Sequence, residues 1–239
     1  MRSTWCVFAS SLLLLSGCAT RSISNSDYSS RGYYGGNPLY AGELSEFDVL
    51  GVRAGAEVSD TEIAAALSNA SERKTLAKGD RILLIQSGAM IPDQEMLAGL
   101  SPTFSVSGFS GIPEKDASST DSYANSLRLA AAKGGIETIV VYWGVLETGN
   151  KNLATKTVSW IPVAGKIVPD ESQYMRIRLK VAVVDVASGQ WETFSPETFE
   201  DTALSGRINR HASDQGQVAL LKAKAYERAA SELVARFVR

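Results

Sequence analysis

The chain has 239 residues, 44% of them hydrophobic and 21% charged, and a formal charge of −2. That length suffices for one domain with a sizeable core, and the composition excludes general disorder. The near-neutral balance gives no reason to expect a nucleic-acid partner, and two early cysteines (Cys6, Cys18) with one histidine (His211) exclude a disulfide framework or cysteine-based zinc site in the rest.

The chain opens MRSTWCVFASSLLLLSGC. Arg2 supplies a positive start, and Val7 to Leu15 supply an apolar run too short to span a bilayer comfortably, which fits a secretory signal over 1–17. Its end, Leu15-Ser16-Gly17-Cys18, resembles the bacterial lipobox. That resemblance implies removal of residues 1–17 and acylation of Cys18, with three acyl chains where two already give stable anchoring. Ala19 follows the cysteine, and by resemblance to the sorting rule of Gram-negative lipoproteins a residue other than Asp favours the outer membrane. Cys6 lies in the removed segment.

Residues 18–42 are rich in Ser, Gly, Asn and Tyr and read as a flexible tether from the lipidated Cys18. Tyr28, Tyr33, Tyr34 and Tyr40 within it are either an interaction motif or aromatic packing on the domain. From Glu43 onward the pattern tightens. Ser59 and Glu62 stand at capping-box spacing before IAAALSNA, so a helix is expected over about 59–70. RILLIQ, Arg81 to Gln86, reads as a buried strand, and Pro92 as the first residue of a helix reaching Leu100. Thr103 to Phe109 reads as a second strand, followed by a helix capped by Asp121 or Ser122 and stopped at Gly134-Gly135.

ETIVVYWGVLE, Glu137 to Glu147, is apolar on both sides, as a central strand requires. In MRIRLKVAVVDV, Met175, Ile177, Leu179, Val181 and Val183 alternate with Arg176, Arg178 and Lys180, so one side faces a core. Ser188-Gly189 turns that strand into QWETF, and a long helix starting near Ser213 closes the chain. The expected fold class is α/β, a single three-layer domain over 43–239. Its mixed sheet of about five strands has flanking helices and a C-terminal helix, and the first three strands are parallel neighbours.

Catalytic signals are scarce. His211 stands alone in a polar stretch read as a loop, and no HExxH or clustered-carboxylate motif accompanies it. GFSG, Gly108 to Gly111, is one residue short of a nucleophile elbow, and Ser71 to Lys74 matches SxxK without its companion motifs. No cofactor is expected, and no metal site. Arg176, Arg178 and Lys180 are the candidate anion contact, about 7 Å apart along one strand face. The alternative is a solvated face paired with Glu192 or Glu197 across the hairpin. Trp143, Trp160 and Trp191 read as core or interface anchors.

The stretch SWIPVAGKIVPD, Ser159 to Asp170, suits neither helix nor regular strand, because Pro162 and Pro169 lack donors. Trp160, Ile161, Val163, Ile167 and Val168 are its candidate partner or membrane contact. Three readings stay open: an arm folded on its own domain, an interfacial membrane contact, or a docking arm for another subunit. Lys151, Lys156, Lys166 and Pro162 spoil the alternation of a membrane strand, so no transmembrane barrel is expected from this chain.

The lipobox, the short tether, the strand–helix order and the phrase VAVVDVASGQW together resemble envelope lipoproteins with a TolB N-terminal-like or CsgG-like domain. That resemblance implies assembly, secretion or activation of other machines rather than catalysis. Such lipoproteins sometimes carry an aminopeptidase label, against which the missing metal ligands argue. The expected function is that of a lipid-anchored outer-membrane lipoprotein facing the periplasm. It acts as a non-catalytic scaffold or partner-binding component, with the membrane, envelope proteins or further copies of itself as partners. The alternative is a periplasmic hydrolase with an unrecognised site.

Overall fold

The structure, a computed structural model, describes residues 19–26, 37, 39–52, 57–70, 74–113, 120–152, 171–204 and 210–239. The signal segment, Cys18 and the whole 159–170 stretch, with Trp160, Ile161, Val163, Ile167 and Val168, lie outside the described residues.

The strands are β1 (Ala19–Ser22), β2 (Arg81–Gln86), β3 (Ser105–Phe109), β4 (Thr138–Asn152), β5 (Glu171–Asp185), β6 (Trp191–Phe194) and β7 (Phe199–Leu204). The helices are α1 (Glu46–Leu50), α2 (Asp60–Asn69), α3 (Gln94–Leu100), α4 (Thr120–Lys133) and α5 (Arg210–Phe237). One sheet runs in the order β3-β2-β4-β5-β6, with β2 parallel to both β3 and β4 and the remaining pairs antiparallel. This is the expected mixed α/β sheet. The strand order reverses at β2, and α3 and α4 accordingly pack on opposite faces, as right-handed crossovers demand.

Two cores sandwich the sheet. On one face α3 and α5 pack Met96, Leu100, Leu221, Tyr226 and Leu233 against Leu84, Tyr142, Ile177 and Val181. On the other, α1 and α4 pack Val49, Leu127 and Ala131 against Leu83, Ile85, Ile139 and Val141. The second layer stops short. β4 and β5 pair over fifteen positions, from Thr138↔Asp185 to Asn152↔Glu171. β2 covers the β4 edge only from Thr138 to Tyr142, and β6 covers the β5 edge only from Val181 to Val184.

The remaining half of this hairpin is edged by β1 and β7, which the sequence pattern did not reveal. β1 pairs antiparallel with Val145–Thr148, and β7 pairs antiparallel with Ser172–Ile177. The expected tether over 18–42 therefore gives way at its start: Ala19–Ser22 is a sheet strand, and a 3-10 turn at Ile23–Asn25 follows it. The strand Ala-Thr-Arg-Ser lacks the hydrophobic alternation that makes a strand legible; backbone pairing holds it, and the buried anchor, Ile23, comes only in the turn that follows.

Smaller differences have similar causes. Ser45 and Asp48 form a capping box that starts the one-and-a-half-turn α1, too short for periodicity to reveal. The helix expected at Pro92 starts at Gln94, after N-cap Asp93. The last helix starts at Arg210, so His211 lies in its first turn rather than in a loop.

Candidate functional site: an N-terminal strand locked beside a basic row

Ile23 is the pin of the N-terminal segment. It is 1% exposed and sits in the α5-side core. It fits because residue 144 is glycine: a Cβ there would come within 2.5 Å of Ile23 Cδ1 and 2.7 Å of Leu179 Cδ2. Gly144 also falls where the β2 lane on β4 ends and the β1 lane begins. One missing side chain thus lets the N-terminal segment dock onto the continuous strand.

A buried polar network locks the turn in place. Ser24 Oγ donates to the Ser87 carbonyl at 2.6 Å and accepts from Gln86 Nε2 at 3.0 Å. The amide of Leu44 donates to Ser87 Oγ at 2.8 Å, and Asn37 Nδ2 donates to the Ser24 carbonyl at 3.2 Å. From α5, Lys222 is 1% exposed and donates to the Ile23 carbonyl at 2.8 Å and to Asp93 Oδ2 at 3.2 Å. Tyr226 donates to the same Asp93 oxygen at 2.6 Å, and Tyr142 donates to Gln86 Oε1 at 2.6 Å. The two tyrosine rings meet edge to face, 5.7 Å between centroids. Burial pulls the Lys222 ammonium below its ordinary pKa, against the opposing pull of Asp93 and Glu95.

Asp93 illustrates the price of this arrangement. It is the N-cap residue of α3 yet makes no side-chain capping bond, because its carboxylate is turned inward to Lys222 and Tyr226. These residues sit at the carboxyl end of β2, beside the point where strand order reverses, the crevice in which open α/β sheets commonly take ligands. Here the protein's own N-terminal turn fills it. One signal pointed there: Lys222 interrupts the apolar stripe of α5 that Val218, Leu221 and Ala225 define.

The basic row lies on the opposite face of the hairpin from α5, with only its Lys180 end reaching a helix, α1, among the described residues. Arg176 and Arg178 grip the two oxygens of Glu147, whose residue is 8% exposed and which stands directly across from Arg176. Burial pushes the Glu147 carboxyl up, but hydrogen bonds and charges from the two guanidinium groups prevail and hold it below the ordinary range. Lys180 reaches Glu46 of α1 at 2.6 Å. The pairing expected with Glu192 or Glu197 across the hairpin is replaced by partners on β4 and α1, and Glu197 instead meets Arg228. Periodicity placed these cations on one face; only the register of β4 with β5 identifies Glu147.

Beside the row opens a cleft of about 500 Å³ whose lining includes Arg21, Tyr40, Glu43, Trp143, Arg178 and Lys180. Trp143 is fixed by a 2.8 Å bond from Nε1 to the Leu44 carbonyl. Burial, with the Glu43 carboxylate nearby, raises the Tyr40 hydroxyl above its ordinary pKa. At the other end of the hairpin a groove of about 850 Å³ lies between α2 and the sheet edge, with Ile63, Leu67 and Trp191 in its lining. All three are well exposed. Near it Lys74, the lysine of the SxxK match, pairs with Asp185. Burial raises the Asp185 carboxyl, and its bonds to Lys74 and Ser188 outweigh that and lower it. Among the described residues no group of three or more His, Cys, Asp or Glu gathers to hold a metal ion.

Comparison with known proteins bears on the whole domain. No curated protein matches the chain. A family model described as YafT bacterial lipoprotein matches residues 45–236. The match spans α1 to the last turn of α5, most of the chain, and fits a membrane-anchored protein of the bacterial envelope. The chain belongs to the YafT bacterial lipoprotein family.

Proposed function

We propose that acyl chains on Cys18 hold this lipoprotein on the outer membrane, with its domain in the periplasm. There it serves as a non-catalytic component that binds envelope partners or further copies of itself. The observation that carries this reading is the entry of the chain into the sheet at Ala19, directly after the lipobox cysteine. Anchor and domain then move as one body, which suits a component presenting surfaces at a fixed height above the membrane.

The disposition of polar groups supports a binding role. Asp93, Glu147 and Asp185 each spend their carboxylates on internal cations, and Lys222 is spent on the N-terminal turn. The surfaces offered to a partner are the exposed flanks of Arg178 and Lys180 in the 500 Å³ cleft, suited to anionic groups, and the groove under α2, where exposed Ile63, Leu67 and Trp191 stand beside the Lys74–Asp185 pair. Affinity isolation from detergent-solubilised envelopes, followed by native mass measurement, tests the reading. Co-purifying envelope proteins or a defined oligomer are expected. A lone monomer that turns over peptidase or esterase substrates, with the turnover lost on a single carboxylate substitution, would overturn it in favour of a hydrolase.

A further inference from the structure

The register of β1 fixes which end of the domain meets the membrane. Ala19 stands opposite Thr148 and Ser22 opposite Val145, so the chain enters β1 from the free end of the β4–β5 hairpin. The Cα of Cys18 lies one covalent step, ~3.8 Å, from that of Ala19. No slack separates a lipid on Cys18 from the sheet, because Ile23, Ser24 and Lys222 pin the next residues into the core.

The hairpin continues past the anchor. From Thr148 to Asn152 it advances ~13 Å at strand rise. The polar headgroup layer of one leaflet is only about 5–8 Å deep. The end of β7 lies at the same level, with Leu204 across from Ser172. Both ends of the connection between Asn152 and Glu171 also leave from here. In contrast, Thr138, Asp185 and the starts of β2 and β6 lie at the opposite end. That end is ~46 Å away along β4.

We infer that the free end of the β4–β5 hairpin is the membrane-facing end of the domain. Its last residues, Thr148 to Asn152, reach the leaflet that holds the acyl chains. This rests on acylation of Cys18. It assigns the partner of this end as a phospholipid surface and turns the groove under α2 away from the membrane, toward the periplasm.

The test uses the mature acylated protein in vesicles of phosphatidylethanolamine and phosphatidylglycerol containing nitroxide-labelled lipid. Cys6 leaves with the signal segment and acylated Cys18 has no thiol, so a fluorophore on Asn152→Cys or on Lys78→Cys, before β2, is the single label. Strong quenching at position 152, and buffer-level emission at 78, is the expected result. A Gly/Ser insertion of ten residues between Cys18 and Ala19 adds a reach of ~17 Å and should weaken quenching at 152. Equal quenching at the two positions, or stronger quenching at 78, would overturn the orientation while leaving the anchor intact. An unacylated Cys18, read by intact mass on the same sample, would remove the anchor and the orientation together.

Discussion

Replacing Ile23 by alanine separates a docked N-terminal segment from a tether. In a tether the change touches nothing and leaves stability unaltered. In this structure it empties a position 1% exposed, between Gly144 and Leu179. Truncating a buried isoleucine to alanine costs ~3 kcal/mol. For a domain of this size that is a fall of roughly 6–12 °C in Tm. Gly144→Ala should also destabilise, by about 1–3 kcal/mol, since the new methyl meets Ile23 Cδ1 at 2.5 Å. Most of that clash disappears when Ile23 is already alanine, although Leu179 Cδ2 remains at 2.7 Å. The double variant should therefore lose about 0.5 kcal/mol or more less than the sum of the singles. Thermal unfolding followed by far-ultraviolet circular dichroism measures all four proteins. Wild-type stability in Ile23→Ala, or strict additivity in the double variant, would refute the docking.

Other expectations follow from the same contacts. Lys222→Ala removes the cation that faces the Asp93 carboxylate and leaves the Ile23 carbonyl without its donor, and should cost ~3 kcal/mol in a denaturant titration, whereas Lys222→Met with Asp93→Asn should recover much of the loss. Gly111→Ala places a Cβ 1.9 Å from the Gln86 carbonyl oxygen and should cost more than about 2 kcal/mol, read by the same titration. Because the folded Glu147 carboxyl titrates below its ordinary value near 4.5, its contribution is fully present above that pH and is lost as pH falls through the lowered folded value. Glu147→Gln should accordingly flatten the acid limb of a Tm-against-pH profile, and an unchanged limb would contradict the Arg176–Glu147–Arg178 assignment.

Legibility in the sequence followed the strength of the hydrophobic signal. RILLIQ is legible to the residue as β2 because it is apolar on both faces and bounded by glycines, and β5 is legible from Met175 onward, where its alternation is regular, but not over its first four residues, Glu171 to Tyr174. Capping chemistry located α2, and the Gly134-Gly135 stop located the end of α4. β1 and β7 escaped because ATRS and FEDTAL carry polar side chains on strands whose pairing partner, not their pattern, specifies them. The polar lock escaped for a related reason. Ser24, Gln86, Asp93 and Lys222 are 62, 7 and 129 residues apart across its bonds, and only the fold brings them together. The basic row was legible as a face, and its partner Glu147 was not, since register is a tertiary property.

The contiguity of anchor and sheet is tested most directly by hydrogen exchange with mass detection on the N-terminal peptide of the mature protein purified from envelopes. One spectrum reports the acyl mass on Cys18 and the deuterium uptake of the amides that follow it. The account predicts a peptide that begins at acylated Cys18 and in which the paired amides of β1 exchange as slowly as those of β4. An unmodified first residue, or full exchange across residues 19–24 within the dead time, would contradict it.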